Sequence, residues 1–456
     1  MLALLCAAQF MVVLDFSIVN VALPSIQREF GLSQERLQWL VSAYALTFGG
    51  FLLLGGRAAD LFGRRRMFIV GLVLFACASL LGGIAPNAVL LIAARALQGV
   101  AAAVLSPAAL SLVTSIFSHG RERHRALGTF SALGAGGFAM GVFLGGLLTD
   151  GPGWRWVFFV NVPVGITVAL LSPRVFPDCR PSAAQRHLDL PGAVTATLGL
   201  GTLVFGLTQA PNWGWTSAWT WACITLALIC LGAFAAIERR APAPLLRLGL
   251  LRKRSVAVTN TVILLTTASV APQVFVLSLY LQTVEGFSAI QTGLLFLVQG
   301  ATAVFGAVLG SRVVSAFGVR PLLIGGRLAA ALALLLLTPL QGSLGVLLPA
   351  LALLGLGNVC TFIASSVGAT SEVEPGELGL ASGVLYAAQQ VGAALGISIL
   401  IALAATRTSI QEQAGVEPSA ALIDGFRFAL GGGAVLSFAA AIVGLAAPGR
   451  LPSANE

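Results

Sequence analysis

The sequence predicts an all-α polytopic membrane protein, and three observations lead to this fold class. The chain of 456 residues is 57% hydrophobic and only 9% charged. Its mean hydropathy is +0.94, so polar side chains are too few to cover a water-soluble globule. Apolar runs of about twenty residues, each long enough to cross roughly 30 Å of hydrocarbon as a helix, recur from end to end.

Fourteen of these runs predict transmembrane helices. Residues 1–24 are interpreted as the first helix rather than a signal peptide, because no basic stretch precedes the apolar run and Asp15 interrupts it. The predicted helices cover residues 2–24, 36–55, 67–85, 88–113, 126–148, 156–172, 190–209, 217–237, 256–282, 289–310, 320–338, 344–366, 379–405 and 425–447.

The distribution of basic residues predicts the orientation of these helices. With the N-terminus in the cytoplasm, nineteen of the 26 Lys and Arg residues fall in cytoplasmic segments and five fall outside. Both termini are therefore expected to be cytoplasmic. The net charge of +9 is spread over several short segments, so we interpret it as an orientation signal and do not expect nucleic-acid binding.

An internal repeat divides the chain into two halves. The segment "GGRAADLFGRRR" (55–66) matches "GSRVVSAFGVRP" (310–321) at an offset of 255 residues, and glycines of helix 126–148 match glycines of helix 379–405 at the same offset. The predicted domains are an N-terminal six-helix bundle (1–173), a two-helix insert with flanking cytoplasmic loops (174–254), a C-terminal six-helix bundle (255–447) and a cytoplasmic tail (448–456). Two parallel halves are typical of transporters that bind substrate near mid-membrane.

Four stretches resemble a known family. They are "LDFSIVNVALP" (14–24), the segment 55–66, "RALQGVAAA" (95–103) and the glycines of helix 126–148. Together they resemble the major facilitator superfamily, and within it the fourteen-helix drug:proton antiporters. The resemblance implies the major facilitator fold, two six-helix bundles plus two inserted helices, and transport driven by the proton-motive force without a bound cofactor.

Asp15 is the only acidic residue in the middle of a predicted helix. A carboxylate in hydrocarbon is costly when ionised, which makes Asp15 a candidate proton carrier. At a rise of 1.5 Å per residue, Asp15 and Arg95 each lie roughly 10 to 14 Å below the outer boundary. We expect Asp15 to exchange its proton against Arg95 or substrate; the alternative is a static ion pair that locks two helices.

The segment 55–66 contains a predicted conformational latch, formed by Gly56, Asp60, Gly63, Arg64 and Arg65. Its glycines permit tight turns and close approach of helices. The resemblance implies that Asp60 pairs with basic residues across the interface between the halves and holds the outward-open state. The alternative is that the arginines only set the orientation.

The glycines of helix 126–148 lie mostly on one helix face, which lets another helix approach closely. Packing alone is a sufficient cause, whereas the resemblance implies an antiporter motif. The antiporter pattern has proline after the third glycine, where this chain has Val142, so uniport and symport stay open. The motif consists of Gly128, Gly137, Gly141, Gly145 and Gly146.

Other polar residues in the predicted helices are candidates for lining a substrate cavity, with helix–helix hydrogen bonding as the alternative for each. Because Asp15 is the only core carboxylate, we expect neutral, amphipathic or monocationic hydrophobic substrates. Arg327 is interpreted as snorkelling to the cytoplasmic interface. The cavity candidates are Asn20, Gln98, Asn161, Asn260, Gln273, Tyr280, Gln299, Asn358, Gln389 and Gln390.

The expected function is proton-coupled export of hydrophobic or amphipathic small molecules, such as antibiotics, across a bacterial cell membrane by a monomer. Its partners are the small molecule, protons and the lipid bilayer. The sequence has no nucleophile motif, metal-ligand spacing or phosphate-binding glycine loop, so neither an enzyme, a metal site nor ATP-driven transport is expected. The alternatives are a facilitator or importer of a small metabolite and a non-transporting membrane sensor.

Overall fold

The structure is a computed structural model that describes residues 1–117, 120–176, 189–241, 249–340, 342–373 and 378–448. Asp60 and Gly128 lie within helices, but their surroundings are outside what the structure describes. Within the described ranges the secondary structure is helical throughout, without strands. The predicted all-α class is therefore confirmed.

All fourteen predicted segments are helical, the sixth being divided into α6 and α7. The bounds are α1 Leu2–Phe30, α2 Gln34–Phe62, α3 Arg64–Gly83, α4 Ala88–Ile116, α5 Gly120–Asp150, α6 Trp156–Phe159, α7 Asn161–Val175, α8 Leu190–Trp213, α9 Ala218–Glu238, α10 Arg254–Leu279, α11 Ala289–Phe317, α12 Val319–Leu337, α13 Leu344–Thr370, α14 Leu378–Gln413 and α15 Pro418–Gly444. A π-helical turn, Tyr280–Val284, extends α10.

In the described part of the chain, twelve helical segments are long and apolar enough to cross a membrane. They comprise all segments except α2 and α5, and α5 contains a shorter apolar helix, Gly136–Asp150. The count of fourteen spans therefore stays a prediction.

Several helices are longer than predicted. The structure continues α1 to Phe30 instead of residue 24, ends α14 at Gln413 instead of residue 405 and begins α15 at Pro418 instead of residue 425. Hydropathy detects only the part of a helix that hydrocarbon surrounds, whereas backbone hydrogen bonding continues into the polar interface. The α1 helix ends where Gly31 adopts a left-handed conformation with φ 60°.

Helix packing repeats between the N half (α1–α7) and the C half (α10–α15). In the N half α1 packs on α5, α2 on α4, and α3 on both α4 and α7. In the C half α10 packs on α14, α11 on α13, and α12 on both α13 and α15. The halves meet along two equivalent seams, α5 with α11 and α2 with α14, while α8 packs on α9 and against both helices of the second seam.

Equivalent glycines have equivalent conformations in the two halves. Gly63 joins α2 to α3 with φ 96°, and Gly318 joins α11 to α12 with φ 82°. A positive φ is strained for residues with a Cβ atom, so the repeated glycine is required by the repeated tight turn.

Other glycines permit close approach of helices. A Cβ atom on Gly141 would lie 2.0 Å from Ser17 Oγ and 2.6 Å from the Leu14 carbonyl oxygen of α1. In the other half, a Cβ atom on Gly396 would lie 2.2 Å from the Ala268 carbonyl oxygen of α10. The same backbone approach therefore builds the α1–α5 and α10–α14 pairs.

Among the described residues, the two halves share their main hydrophobic core at one end, and a smaller cluster joins Ala45 of α2 to Ala393 and Ala394 of α14. Towards the predicted outer side, a single buried cluster joins residues of the N half, such as Ile18 and Val142, to Phe275 and Phe296 of the C half. Towards the termini, one cluster belongs to the N half, and Tyr386 and Ala387 are the described residues of the C half that pack against it. A further cluster there belongs to the C half alone. The halves are thus joined on the outer side and largely separate on the other.

We predict that Gly141→Ala destabilises the protein by about 1–3 kcal/mol, because the added methyl group overlaps the α1 backbone. Gly136→Ala on the same helix is the matched control, since its Cβ atom would have no atom within 4 Å. Thermal unfolding in detergent should give a lower Tm for the first variant and an unchanged or higher Tm for the second. Equal Tm values would contradict the packing explanation.

Candidate functional site

Asp15 and Arg95 form a buried ion pair in the N half. Arg95 Nη1 lies 2.5 Å from Asp15 Oδ2. The other carboxylate oxygen, Oδ1, accepts hydrogen bonds from Gln98 Nε2 at 2.9 Å and from Asn161 Nδ2 at 2.7 Å. Three donors from α4 and α7 therefore offset the cost of burying the carboxylate of α1.

The surroundings of Arg95 tie further helices to this cluster. Its Nε donates to the Leu40 carbonyl of α2 at 2.8 Å, and its Nη1 donates to Gln98 Oε1 at 2.8 Å. The guanidinium lies 4.4 Å from the centroid of the Tyr44 ring, at cation–π distance. Gln98 also donates to Ser79 Oγ of α3 at 2.8 Å.

The cluster is sealed from its surroundings. Asp15, Arg95 and Gln98 have no exposed surface, and Asn161 is 1% exposed. The pair carries no net charge when Asp15 is ionised, which suits a low-dielectric site. Asp15 is therefore enclosed by protein in this conformation.

Sequence reasoning placed Asp15 and Arg95 at the same depth but missed two neighbours. Tyr44 belongs to α2 and is one of three tyrosines in the chain. Its depth in the membrane, which matches that of Arg95, is the feature of the sequence that could have indicated the contact. Ser79 lies in the apolar run of α3, where the sequence has no signal for a polar contact. Gln98 and Asn161 were predicted to line the cavity, and the structure places both against the Asp15 carboxylate.

On the predicted outer side, polar contacts join the two halves. Ser278 Oγ donates to the Asn20 carbonyl at 2.6 Å, and Gln282 Nε2 donates to the Val21 carbonyl at 3.0 Å. The carboxylate of Asp150, at the end of α5, accepts the backbone N–H of Ile290 at 2.7 Å and that of Ala289 at 3.3 Å at the start of α11. A carboxylate at a helix N-terminus is favourably placed, so this contact holds the seam closed.

Two predicted cavity residues make hydrogen bonds within their own half. Asn20 donates to carbonyls of its own helix, those of Phe16 and Ser17. The Tyr280 hydroxyl lies within hydrogen-bonding distance of the Glu285 carboxylate and 2.5 Å from the Leu340 carbonyl oxygen. Tyr280 thus belongs to the outer end of the C half rather than to a central cavity.

The remaining glutamines and Asn260 are distributed through the C half. Gln273 is 1% exposed, and neither of its amide atoms has a partner among the described groups. Asn260 donates to the Val256 carbonyl of its own helix. Gln299 is buried and Gln389 is half-buried. Gln390 lies at the seam between the halves, where a Cβ atom on Gly49 of α2 would be 3.0 Å from its Cβ atom.

Arg327 does not snorkel to the interface, so that interpretation was wrong. Its side chain has no exposed surface and donates to Thr361 Oγ1 at 3.0 Å, to Ser437 Oγ at 3.2 Å and to Asn358 Oδ1. The helix directs Arg327 towards α13 and α15, and neutral acceptors there hold it inside the bundle. The position of a residue along a helix gives its depth in the membrane but not the direction in which its side chain points around the helix axis.

The predicted latch spans the end of α2 and the start of α3, with Gly56 inside α2 and Arg64 and Arg65 at the start of α3. Gly63 provides the turn, and Arg65 Nη1 donates to the Phe176 carbonyl of the same half at 3.0 Å. Asp60, the residue expected to pair across the halves, lies outside the described side chains. The latch therefore stays a prediction.

Comparison with known proteins decides the family. The family model of the Major Facilitator Superfamily matches residues 5–397 and again residues 257–453, the second match starting in α10. The chain belongs to the major facilitator superfamily. It is a multi-span membrane transporter by family and not an enzyme, and the second match starts where the C half begins.

Proteins named for antibiotic resistance and export are similar to this chain. The puromycin resistance protein pur8 of Streptomyces alboniger is 42% identical over 93% of this chain and 85% of its own length. The cephamycin export protein CmcT of Amycolatopsis lactamdurans is 41% identical over 90% of this chain and 85% of its own length. An auto-inhibited POT family peptide transporter has a similar fold, with a TM-score of 0.70 at 16% identity over 98% of this chain and 96% of that one.

Replacing Arg95 alone with leucine is predicted to destabilise the protein by about 3–5 kcal/mol, because the buried carboxylate loses its counter-charge. The double variant Asp15→Asn, Arg95→Leu should recover much of this loss, because no buried charge remains. Unfolding in mixed detergent–SDS micelles measures both.

The matched control is the same pair of substitutions at Asp424 and Arg407, an ion pair with side chains 34% and 43% exposed. The coupling free energy between Asp424 and Arg407, which is the effect of the double variant minus the sum of the two single effects, should be at most about 1 kcal/mol. Additive effects at Asp15 and Arg95 would show that the two charges do not depend on each other.

Proposed function

We propose that this chain is a proton-coupled exporter of hydrophobic or amphipathic small molecules such as antibiotics. The single observation that carries the proposal is the sealed Asp15–Arg95 cluster, a protonatable group inside a transporter half. The antibiotic resistance and export named for the similar proteins supports the substrate class.

Alternating access is supported by the unequal contact between the halves. The halves share a core and polar contacts on the predicted outer side and have largely separate cores towards the termini. In the proposed cycle, the outer contacts break and the inner ends of the halves close, so a central site faces the other side of the membrane. Basic residues on the termini side support cytoplasmic termini in a bacterial cell membrane.

The surroundings of Asp15 support proton coupling. While Arg95 Nη1 lies 2.5 Å from the carboxylate, the guanidinium stabilises the ionised form relative to a state without this counter-charge. When the halves rock and Arg95 withdraws, the carboxylate loses its counter-charge in an apolar setting, which favours protonation. A proton is thus taken up in one state and released in the other.

The driving force is adequate for export. One proton moving through 100 mV supplies about 2.3 kcal/mol, and about 1.4 kcal/mol corresponds to a tenfold concentration ratio. Each proton can therefore support a substrate concentration ratio of a few tens-fold across the membrane. The proposed working unit is a monomer with protons and the small molecule as its partners.

We predict that Asp15→Asn abolishes uphill transport of substrate, because the amide cannot exchange a proton. Everted vesicles energised by a proton gradient should accumulate substrate with the natural sequence, and adding substrate should alkalinise their acidified lumen. Asp424→Asn, which neutralises a partly exposed carboxylate, is the control and should retain coupling.

Three outcomes separate the candidate functions. Uptake that a protonophore does not affect would contradict proton coupling and favour a facilitator. Accumulation in right-side-out cells would favour an importer, and an absence of transport with retained binding would favour a sensor.

We also predict that Asp150→Ala favours opening of the outer side, because α11 loses the carboxylate that accepts its first N–H groups. Spin labels at residue 28, near the predicted outer end of α1, and at residue 416, between α14 and α15, should show a larger population of long distances by pulsed dipolar spectroscopy. Glu417→Ala, which removes an exposed acid from the C half alone, should leave the distances unchanged. An identical distribution for Asp150→Ala would exclude this contact as an outer latch.

A further inference from the structure

The C half contains a buried cation without a counter-charge. Arg327 has no exposed surface, and its partners Thr361, Ser437 and Asn358 are all neutral. Within the part of the chain that the structure describes, no acidic side chain lies within ion-pair distance of it. A buried charge is costly without compensation, so this site differs in kind from the neutral Asp15–Arg95 cluster.

Arg327 and Asn358 lie near the middle of their helices. Arg327 is eight residues from the first residue of α12 (Val319–Leu337), about 12 Å along the axis. Asn358 is fourteen residues from the first residue of α13 (Leu344–Thr370), about 21 Å along its axis. The pair therefore lies at the depth where transporters with repeated halves bind their substrates.

The orientation of the Asn358 amide is determined by its neighbour. A guanidinium group has donors only, so the group facing Arg327 must be the carbonyl oxygen Oδ1, as observed. The amide nitrogen Nδ2 therefore points away from Arg327. Asn358 is half-buried, and among the described residues its Nδ2 donates to no group.

The face of α13 that carries Asn358 is turned towards the interior. Phe362 lies one helical turn further along this face, and its ring is 6.3 Å from the ring of Tyr386 on α14. The α14 helix packs against α2 of the N half. The exposed part of Asn358 thus faces the region between the halves rather than lipid.

We propose that Asn358 and Arg327 form a substrate-recognition point that binds a carboxylate or another anionic acceptor group of the transported molecule. Asn358 Nδ2 donates a hydrogen bond to this group, and Arg327, held behind the amide, supplies the positive potential. In a medium of low dielectric constant, such an uncompensated charge favours an anion and disfavours a cation. The inference rests on the proposed function, and it favours acidic over monocationic substrates.

A matched pair of fluorescent probes tests this site. Dansylglycine carries a carboxylate, and dansylglycinamide is its neutral analogue. With the full-length protein in nanodiscs, dansyl fluorescence should show tighter binding of the acid than of the amide. Asn358→Asp should weaken binding of the acid by about tenfold or more, because a hydrogen bond to a charged group is lost, while binding of the amide should change much less.

The Asn358→Asp variant is well suited to the test because its new carboxylate can pair with Arg327, which preserves the fold. Asn212→Asp, the same chemical change at an exposed position of α8, is the control and should retain the preference for the acid. Arg327→Gln should reduce the preference as well. Equal affinity of the natural protein for both probes, or an unchanged preference in Asn358→Asp, would overturn the proposal.

The binding measurement needs no proton gradient, so it is independent of coupling. Asp15→Asn should lose uphill transport and keep the preference for the acid. If Asp15→Asn retains uphill transport, proton coupling through Asp15 fails while the recognition site stands. If coupling holds but Asn358→Asp leaves the probe preference unchanged, the recognition site fails alone.

Discussion

The buried pair of Asp15 and Arg95 is the interaction around which the N half is organised. Its cost in an apolar medium is offset by the mutual attraction of the charges and by hydrogen bonds with Gln98, Asn161 and a backbone carbonyl of α2. The pair thereby ties α1, α2, α4 and α7 into one unit. Any movement that separates its members leaves a charge unpaired, and in the proposed function this links helix motion to the protonation state of Asp15.

The internal repeat preserves backbone packing but not polar chemistry. Gly63 and Gly318 make the same turn, and Gly141 and Gly396 make the same close helix contact. The positions 255 residues after Asp15 and Arg95 are Val270 and Ala350, both apolar. The C half instead buries Arg327 among neutral acceptors. The halves are therefore alike in architecture and different in electrostatics, which separates proposed proton handling from proposed substrate recognition.

The two seams between the halves pair equivalent helices but differ in the contacts around them. On one seam α5 meets α11, and Asp150 joins them through backbone N–H groups. On the other seam α2 meets α14, and the inserted helix α8 packs against both. The insert thus adds cover to one side of a nearly symmetric molecule. In the proposed rocking motion, α2 and α14 belong to different halves. The contacts of α8 with both helices are therefore either kept or broken as the halves move.

The sequence by itself determined the helical segments, the repeat and the common depth of Asp15 and Arg95. These follow from hydropathy and from the constant rise of a helix, both of which are properties along the chain. Only the tertiary structure decided which way each side chain points around its helix and what it meets there. Gln98 and Asn161 contact Asp15 instead of lining a cavity, and Arg327 points into its bundle. Such contacts depend on neighbouring helices that are distant in sequence, and therefore no local pattern contains them.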